Sequence, residues 1–157
     1  MKKMRDIKEF TGRYYYLSNY YDPCPMVYGG ITYSNSESAY QAQKCKYPTD
    51  RYMFIGIDPD RAKMLGKIVA IRDDWDAERV FVMRDVIREK FRQHPELAEL
   101  LISTGDAELV EGNTWHDNFF GDCRCPECRL TPGRNYLGRL LMLERKRLKG
   151  MKVRKRK

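Results

Sequence analysis

The sequence predicts an α+β fold, a single mainly helical domain with a small sheet, on three observations. Residues 5–33 are rich in aromatic and β-forming side chains punctuated by Gly and Pro, which reads as short strands and turns. The segments that follow carry apolar residues at helical spacing between recognisable start and stop signals. No linker and no internal repeat divides the 157 residues, and a chain of that length buries roughly two thirds of its unfolded surface, so no staple is required.

Taken in order, Phe10, Tyr14 to Tyr16, Tyr20, Tyr21 and the run Val27 to Tyr33 supply the strands, with Asp22-Pro23-Cys24-Pro25 as an irregular loop. A helix follows at about 36–46. Its cap is Ser34, which forms a Ser-x-x-Glu box with Glu37, or equally Asn35 or Ser36. Asp58-Pro59, an N-cap before Pro at the first helical position, starts a second helix that runs to about Val69. A third spans Asp74 to about Gln93, with Val80, Met83, Ile87 and Phe91 on one face and Pro95 as its stop. Glu96 to Ser103 is a short helix, and Ala107 to Glu111 a candidate strand. Residues 115–133 are loop-like, and a last helix from about Asn135 to Leu148 carries Leu137, Leu140, Leu141 and Leu148.

Charge and cysteine usage narrow the function classes. The net charge of +8 is concentrated at the end: residues 145–157 hold nine Lys/Arg and no acid, and removing them leaves −1 on the other 144 residues. The division is therefore a domain at 1–148 and a flexible basic tail at 149–157. The tail is either a solubilising end or a non-specific grip on nucleic-acid phosphates. Apolar runs such as Val80 to Met83 are far short of the roughly 20 residues of a membrane span, and MKKMRDIKEF lacks the apolar stretch of a secretory signal. A cytoplasmic protein without membrane partners is expected. Five cysteines, an odd number, fit a reducing compartment.

Three polar clusters stand out. Glu37, Gln41 and Lys44 share one helix face, because offsets of four and seven nearly return to the same direction. Arg72-Asp73-Asp74-Trp75 joins charge to a large aromatic, and 111–118, Glu-Gly-Asn-Thr-Trp-His-Asp-Asn, is dense in hydrogen-bonding and stacking groups. Each also has a plain reading: a solvated helix face, an N-cap with an anchoring Trp, and a turn-rich loop. Cys123, Cys125 and Cys128 with His116 have the residue types of a tetrahedral zinc site. A second Cys-x-x-Cys is missing and Cys123 and Cys125 are awkwardly close in sequence, so reduced loop thiols and no metal are expected. Neither a phosphate-binding Gly loop nor a nucleophile elbow is present, and no cofactor is called for.

Together the pieces resemble the NADAR superfamily with its YbiA-like N-glycosidases. Phe10-x-Gly12 and Tyr16-Leu17-Ser18-Asn19-Tyr20-Tyr21 come first, then Tyr33 with Ser36-Glu37-x-Ala39-Tyr40-Gln41-Ala42-x-Lys44. Arg72-x-Asp74-Trp75, Val82-Met83, Lys90-Phe91, Leu101, Thr104-Gly105, Leu109-Val110-Glu111, Asn113 with Asp117, and Gly133-x-Asn135-x-Leu137-Gly138 follow in family order. The similarity spans roughly residues 8–147. Phe119-Phe120-Gly121 departs from the family's usual Trp-Gly, and the Cys123–Cys128 insertion and the basic tail lie outside its pattern.

The resemblance implies a YbiA-like fold and cleavage of an N-glycosidic bond at a phosphorylated ribose. The substrate is either a ribosylaminopyrimidine phosphate of riboflavin synthesis or an ADP-ribosyl guanine, free or in ADP-ribosylated nucleic acid. It also implies catalytic roles for Lys44, Asp117 and Glu37, with Lys44 forming an imine with the opened sugar. Ser18, Asn19, Gln41, Arg72, Trp75, Asn113 and Asn135 become substrate-binding candidates. Chemistry agrees independently: positive charge builds on the ring oxygen and anomeric carbon, so a carboxylate stabilises it, and the departing base needs a proton. An attacking lysine must be neutral, which burial or neighbouring cations favour. The rival readings are a catalytically silent ADP-ribose or nucleotide-binding module and a nucleic-acid-binding protein led by the tail.

Overall fold

The computed structural model describes residues 2–157 and divides into two compact units, one of residues 19–93 and the other of residues 2–18 with 94–157. Five α-helices, two 3-10 helices and two two-stranded sheets make an α+β architecture among the described residues.

In the first unit, β1 (Met26–Tyr28) and β2 (Ile31–Tyr33) form an antiparallel hairpin with Met26 opposite Tyr33. Its turn residues, Gly29 and Gly30, both have positive φ, which a primed turn needs and glycine adopts without strain. Helix α1 (Ser36–Ala42) begins where the Asn35 side chain accepts the Ser38 N–H at 2.8 Å, so Asn35 is the cap of the three candidates. The helix is shorter than expected, and Lys44 lies in the turn just after it. That turn is held by a short antiparallel bridge: Lys44 O accepts the Arg72 N–H at 2.9 Å, and Lys46 N–H donates to Ala70 O at 2.8 Å. A 3-10 helix at Pro48–Phe54 buries Phe54.

Asp58 caps α2 (Pro59–Leu65) by accepting the Arg61 N–H, and Pro59 opens the helix as the sequence signals. α2 stops at Gly66, ahead of the expected Val69. α3 (Trp75–Gln93) buries Val82, Met83, Val86, Ile87 and Phe91, with Lys90 among them; Val80 is only half-buried. α1 packs on α2 and α3, and Gln93 ties α3 to β1 through both main-chain polar groups of Val27.

In the second unit, the aromatic run Tyr14 to Tyr16 is helical rather than a strand. Gly12 turns the chain at φ 56°, and Tyr14 N–H to Thr11 O and Ser18 N–H to Tyr15 O close a 3-10 helix over Gly12–Leu17. The 107–111 segment contributes a single parallel bridge, Ile7 to Leu109. The strand lies just beyond, where β3 (Gly112–Asn113) pairs in parallel with β4 (Asp122–Cys123). Pro95 opens α4 (Pro95–Ser103), which packs on α5 (Tyr136–Lys155). α5 continues seven residues past Leu148, so the tail expected at 149–157 is helical as far as Lys155. Lys149 donates to Gly105 O and Lys152 pairs with Glu99, both at 2.5 Å. Arg145 is buried on the same helix and donates to Thr104 Oγ1 and Ala107 O. No helix among the described residues is long and apolar enough to cross a membrane.

Candidate active site

The α1 row is not a solvated face. Glu37 and Gln41 are 7% and 5% exposed, and Gln41 Nε2 donates to Glu37 Oε1 at 2.7 Å. An amide fixing a buried carboxylate at one helical turn is expensive to desolvate and needs a reason beyond helix stability. Gln41 Oε1 is buried with no hydrogen-bond partner and packs against Gly66. The Glu37 backbone N–H donates to Asn19 O at 3.2 Å, so Asn19 anchors the start of the row while its amide contacts Met83 Sδ.

Lys44 is half-buried at the end of this row. Burial, the largest influence, pushes its ammonium down from the ordinary lysine range; Glu37 pushes it up, and Lys63, Lys67 and Arg79 push it down again, for a net lowering. Glu37 thus lies within electrostatic reach of the amine, although its hydrogen bond goes to Gln41. Tyr20 faces the same charges: burial, Glu37 and a hydrogen bond with Asp60 hold its hydroxyl protonated well above the ordinary value. The Lys63 ammonium stands 6.0 Å from the centre of the Tyr20 ring.

Arg72 and Trp75 flank the start of α3. Arg72 makes a bidentate pair with Asp74 at 2.6 and 2.7 Å. Trp75 is 7% exposed, its ring 5.3 Å from that of Tyr40 and tilted 51°. The buried indole therefore backs onto Tyr40 of α1 and fixes the start of α3 beside the row.

The remaining candidates belong to the second unit, where Ser18, buried, ends the 3-10 helix. Asn113 uses its whole amide on its own loop: Nδ2 donates to Glu111 O and Asp117 O, and Oδ1 accepts from Trp115 N–H and Asp117 N–H. Asp117 Oδ1 accepts the Phe119 and Phe120 N–H groups at 3.1 and 3.0 Å. Asn135, with φ 50°, accepts the Glu111 N–H and donates to Leu109 O, stitching the start of α5 to the segment 109–111. Asn113 and Asn135 thus shape the loop that presents Asp117. His116, Cys123, Cys125 and Cys128 also converge, their ligand atoms all within 4.8 Å of one another.

Residues 7–149 match the NADAR domain family. The chain belongs to the NADAR family. Among curated relatives it is 38% identical over 136 residues to a riboflavin biosynthesis protein of Vibrio vulnificus, covering 85% of this chain and 35% of that one. It is 35% identical over 127 residues to the N-glycosidase YbiA of Escherichia coli, covering 79% and 76%. An N-glycosidase of Nostoc punctiforme is 33% identical over 121 residues, covering 73% and 74%. The chain spans about a third of the Vibrio protein and about three quarters of each N-glycosidase. The solved NMR structure of Escherichia coli YbiA matches this NADAR fold with a TM-score of 0.79 at 32% identity, over 98% of this chain and 89% of that one.

Several residues of this surrounding escape a sequence reading. Lys63 and Lys67 stand four apart on α2 and its exit, a spacing usual for any wet helix face, and Arg79 sits one turn into α3. Only the fold brings them to bear on Lys44. Gly66 is the other: a side chain there would collide with Gln41, so the close passage of α2 past the row requires a hydrogen.

Proposed function

We propose that the chain cleaves the N-glycosidic bond of a phosphorylated ribosyl substrate, with Lys44 as nucleophile. The N-glycosyl hydrolase activity rests on relatives named N-glycosidase, of whose length the chain covers about three quarters. The observation that carries the nucleophile is the half-buried amine whose ammonium is pushed down among Lys63, Lys67 and Arg79. The same three cations suit a sugar phosphate, and the buried Glu37 carboxylate suits the positive charge that develops at the anomeric carbon.

In the proposed reaction the neutral Lys44 amine attacks the anomeric carbon. The carbon–nitrogen bond to the base breaks, its electron pair stays on the base nitrogen, and that nitrogen takes a proton. Lys44 loses a proton, the ring opens to an imine, and water adds to release the aldehyde sugar phosphate and restore the amine. Gln41 holds the Glu37 carboxylate in place through its Nε2 hydrogen bond. Asp117 remains the acid/base candidate of the family pattern and is tested on its own by Asp117→Asn.

Two substrate classes fit this chemistry, a ribosylaminopyrimidine phosphate of riboflavin synthesis and an ADP-ribosyl guanine. The name of the Vibrio relative supports the first. The exposed Arg154, Lys155, Arg156 and Lys157 support a non-specific phosphate grip that serves an ADP-ribosylated nucleic acid. Offering both substrates side by side and measuring released base and sugar phosphate tests the proposal. Ligand bound without product from either overturns it in favour of a binding module.

A further inference from the structure

The insertion after Asp117 brings together a donor set that the glycosidic chemistry does not use. His116 Nδ1 lies 3.4 Å from Cys125 Sγ and 3.4 Å from Cys128 Sγ, and all four ligand atoms, Cys123 Sγ included, lie within 4.8 Å of one another. A tetrahedral zinc with zinc–sulfur bonds of about 2.3 Å and a zinc–nitrogen bond of about 2.0 Å places such atoms roughly 3.5–3.8 Å apart. Cys123 and Cys125, two positions apart in sequence, bring their sulfurs to one centre because β4 ends at Cys123 and the chain leaves the strand there.

The surroundings are those of a ligand cage. Cys123 is 2% exposed, and its sulfur accepts the backbone N–H of His116 at 3.3 Å. Such an N–H donor stabilises a thiolate and orients a metal ligand. Cys125-Pro126-Glu127-Cys128 is a tight turn, with Cys128 N–H to Cys125 O at 3.1 Å and Arg129 N–H to the same oxygen at 3.0 Å, and Pro126 pre-sets its second residue. His116 holds a left-handed backbone at φ 66°, uncommon outside glycine, and that conformation belongs to the residue whose ring faces the sulfurs.

We propose that His116, Cys123, Cys125 and Cys128 bind one structural zinc ion. Binding displaces the three thiol protons and fills four coordination positions, leaving none for substrate. The ion closes the loop whose base is the Asn113–Cys123 pairing of β3 and β4, and it fixes His116 directly before Asp117.

The test uses the full chain purified without chelator or metal-affinity resin. Elemental analysis is expected to give one zinc per chain, released in step with thiol modification by a mercurial. Cobalt(II) loading is expected to give tetrahedral visible bands with sulfur-to-cobalt charge transfer, a readout that needs no variant. Cys128→Ser loses stoichiometric zinc, His116→Cys keeps it and intensifies the charge transfer, and Cys45→Ala leaves it unchanged. A chain with no stoichiometric metal and no such cobalt spectrum overturns the proposal, whether its three thiols all titrate as free or two are joined as a disulfide.

Discussion

Gly66→Ala isolates the close passage of α2 over the Glu37–Gln41 row. With backbone angles of −62° and −17° the position accepts any residue, so backbone strain is not the issue. An added Cβ would sit 2.9 Å from Gln41 Cδ, closer still to Gln41 Oε1, and 3.3 Å from Ala62 O. Gln41 cannot simply swing away, because it is buried and donates to Glu37 at 2.7 Å. Overpacking of this kind costs about 1–3 kcal/mol, while replacing Gly stabilises by about 0.4–1 kcal/mol through the unfolded chain. The balance is a net loss of about 1–2 kcal/mol, or a Tm lower by about 2–8 °C for a chain of this size. In a Gln41→Ala background the obstacle is gone and the same substitution becomes neutral or stabilising. Thermal melts of the four proteins in that double-mutant cycle give the coupling directly. Equal destabilisation in both backgrounds, or none in either, refutes the claim that Gln41 is what Gly66 makes room for.

Further outcomes follow from the same geometry. Lys44→Met abolishes turnover yet raises Tm at neutral pH, since it removes a half-buried ammonium whose charging the fold disfavours. For the same reason the wild-type chain gains stability as pH rises from the lowered Lys44 value to the ordinary 10.5, and scanning calorimetry across that window detects it. Lys63→Gln with Lys67→Gln removes two cations that disfavour the charged amine, so the limb of the kcat/KM profile that reports neutral Lys44 moves to higher pH. Arg145→Met leaves Ala107 O without its buried donor and lowers stability in urea by about 2–3 kcal/mol. Asp117→Asn keeps an acceptor for the Phe119 and Phe120 N–H groups, so it lowers kcat with little change in Tm; full activity removes Asp117 from the mechanism.

What was legible in the sequence is what short-range chemistry decides. Asp58-Pro59 announces α2 because cap and first turn lie within three residues of each other, and Glu37–Gln41 follows from the helix period alone. The run Tyr14 to Tyr16 misleads because tyrosine favours strands in general, whereas here Gly12 sets a tight turn and Tyr16 reaches Leu100 O, 84 residues away. α5 outlasts Leu148 because Lys149 and Lys152 find Gly105 O and Glu99, partners no local pattern reveals. The amides of Asn113 and Asn135 bond main-chain groups that no local pattern reveals, Asn135 reaching Glu111 across 24 positions. The cations around Lys44 and the convergence of His116 with the cysteines depend likewise on tertiary placement. Spacing along the chain supplied the residue types but not their distances.

In the proposed reaction Lys44 forms a covalent imine while an N-glycosidic bond is cut. Sodium borohydride added during turnover, followed by intact-mass measurement and peptide mapping, addresses it directly. One reduced sugar-phosphate adduct per chain is expected, located on Lys44 and absent from Lys44→Arg, which is also inactive. Turnover with no adduct, together with a Lys44→Arg protein that keeps the wild-type rate, would contradict it.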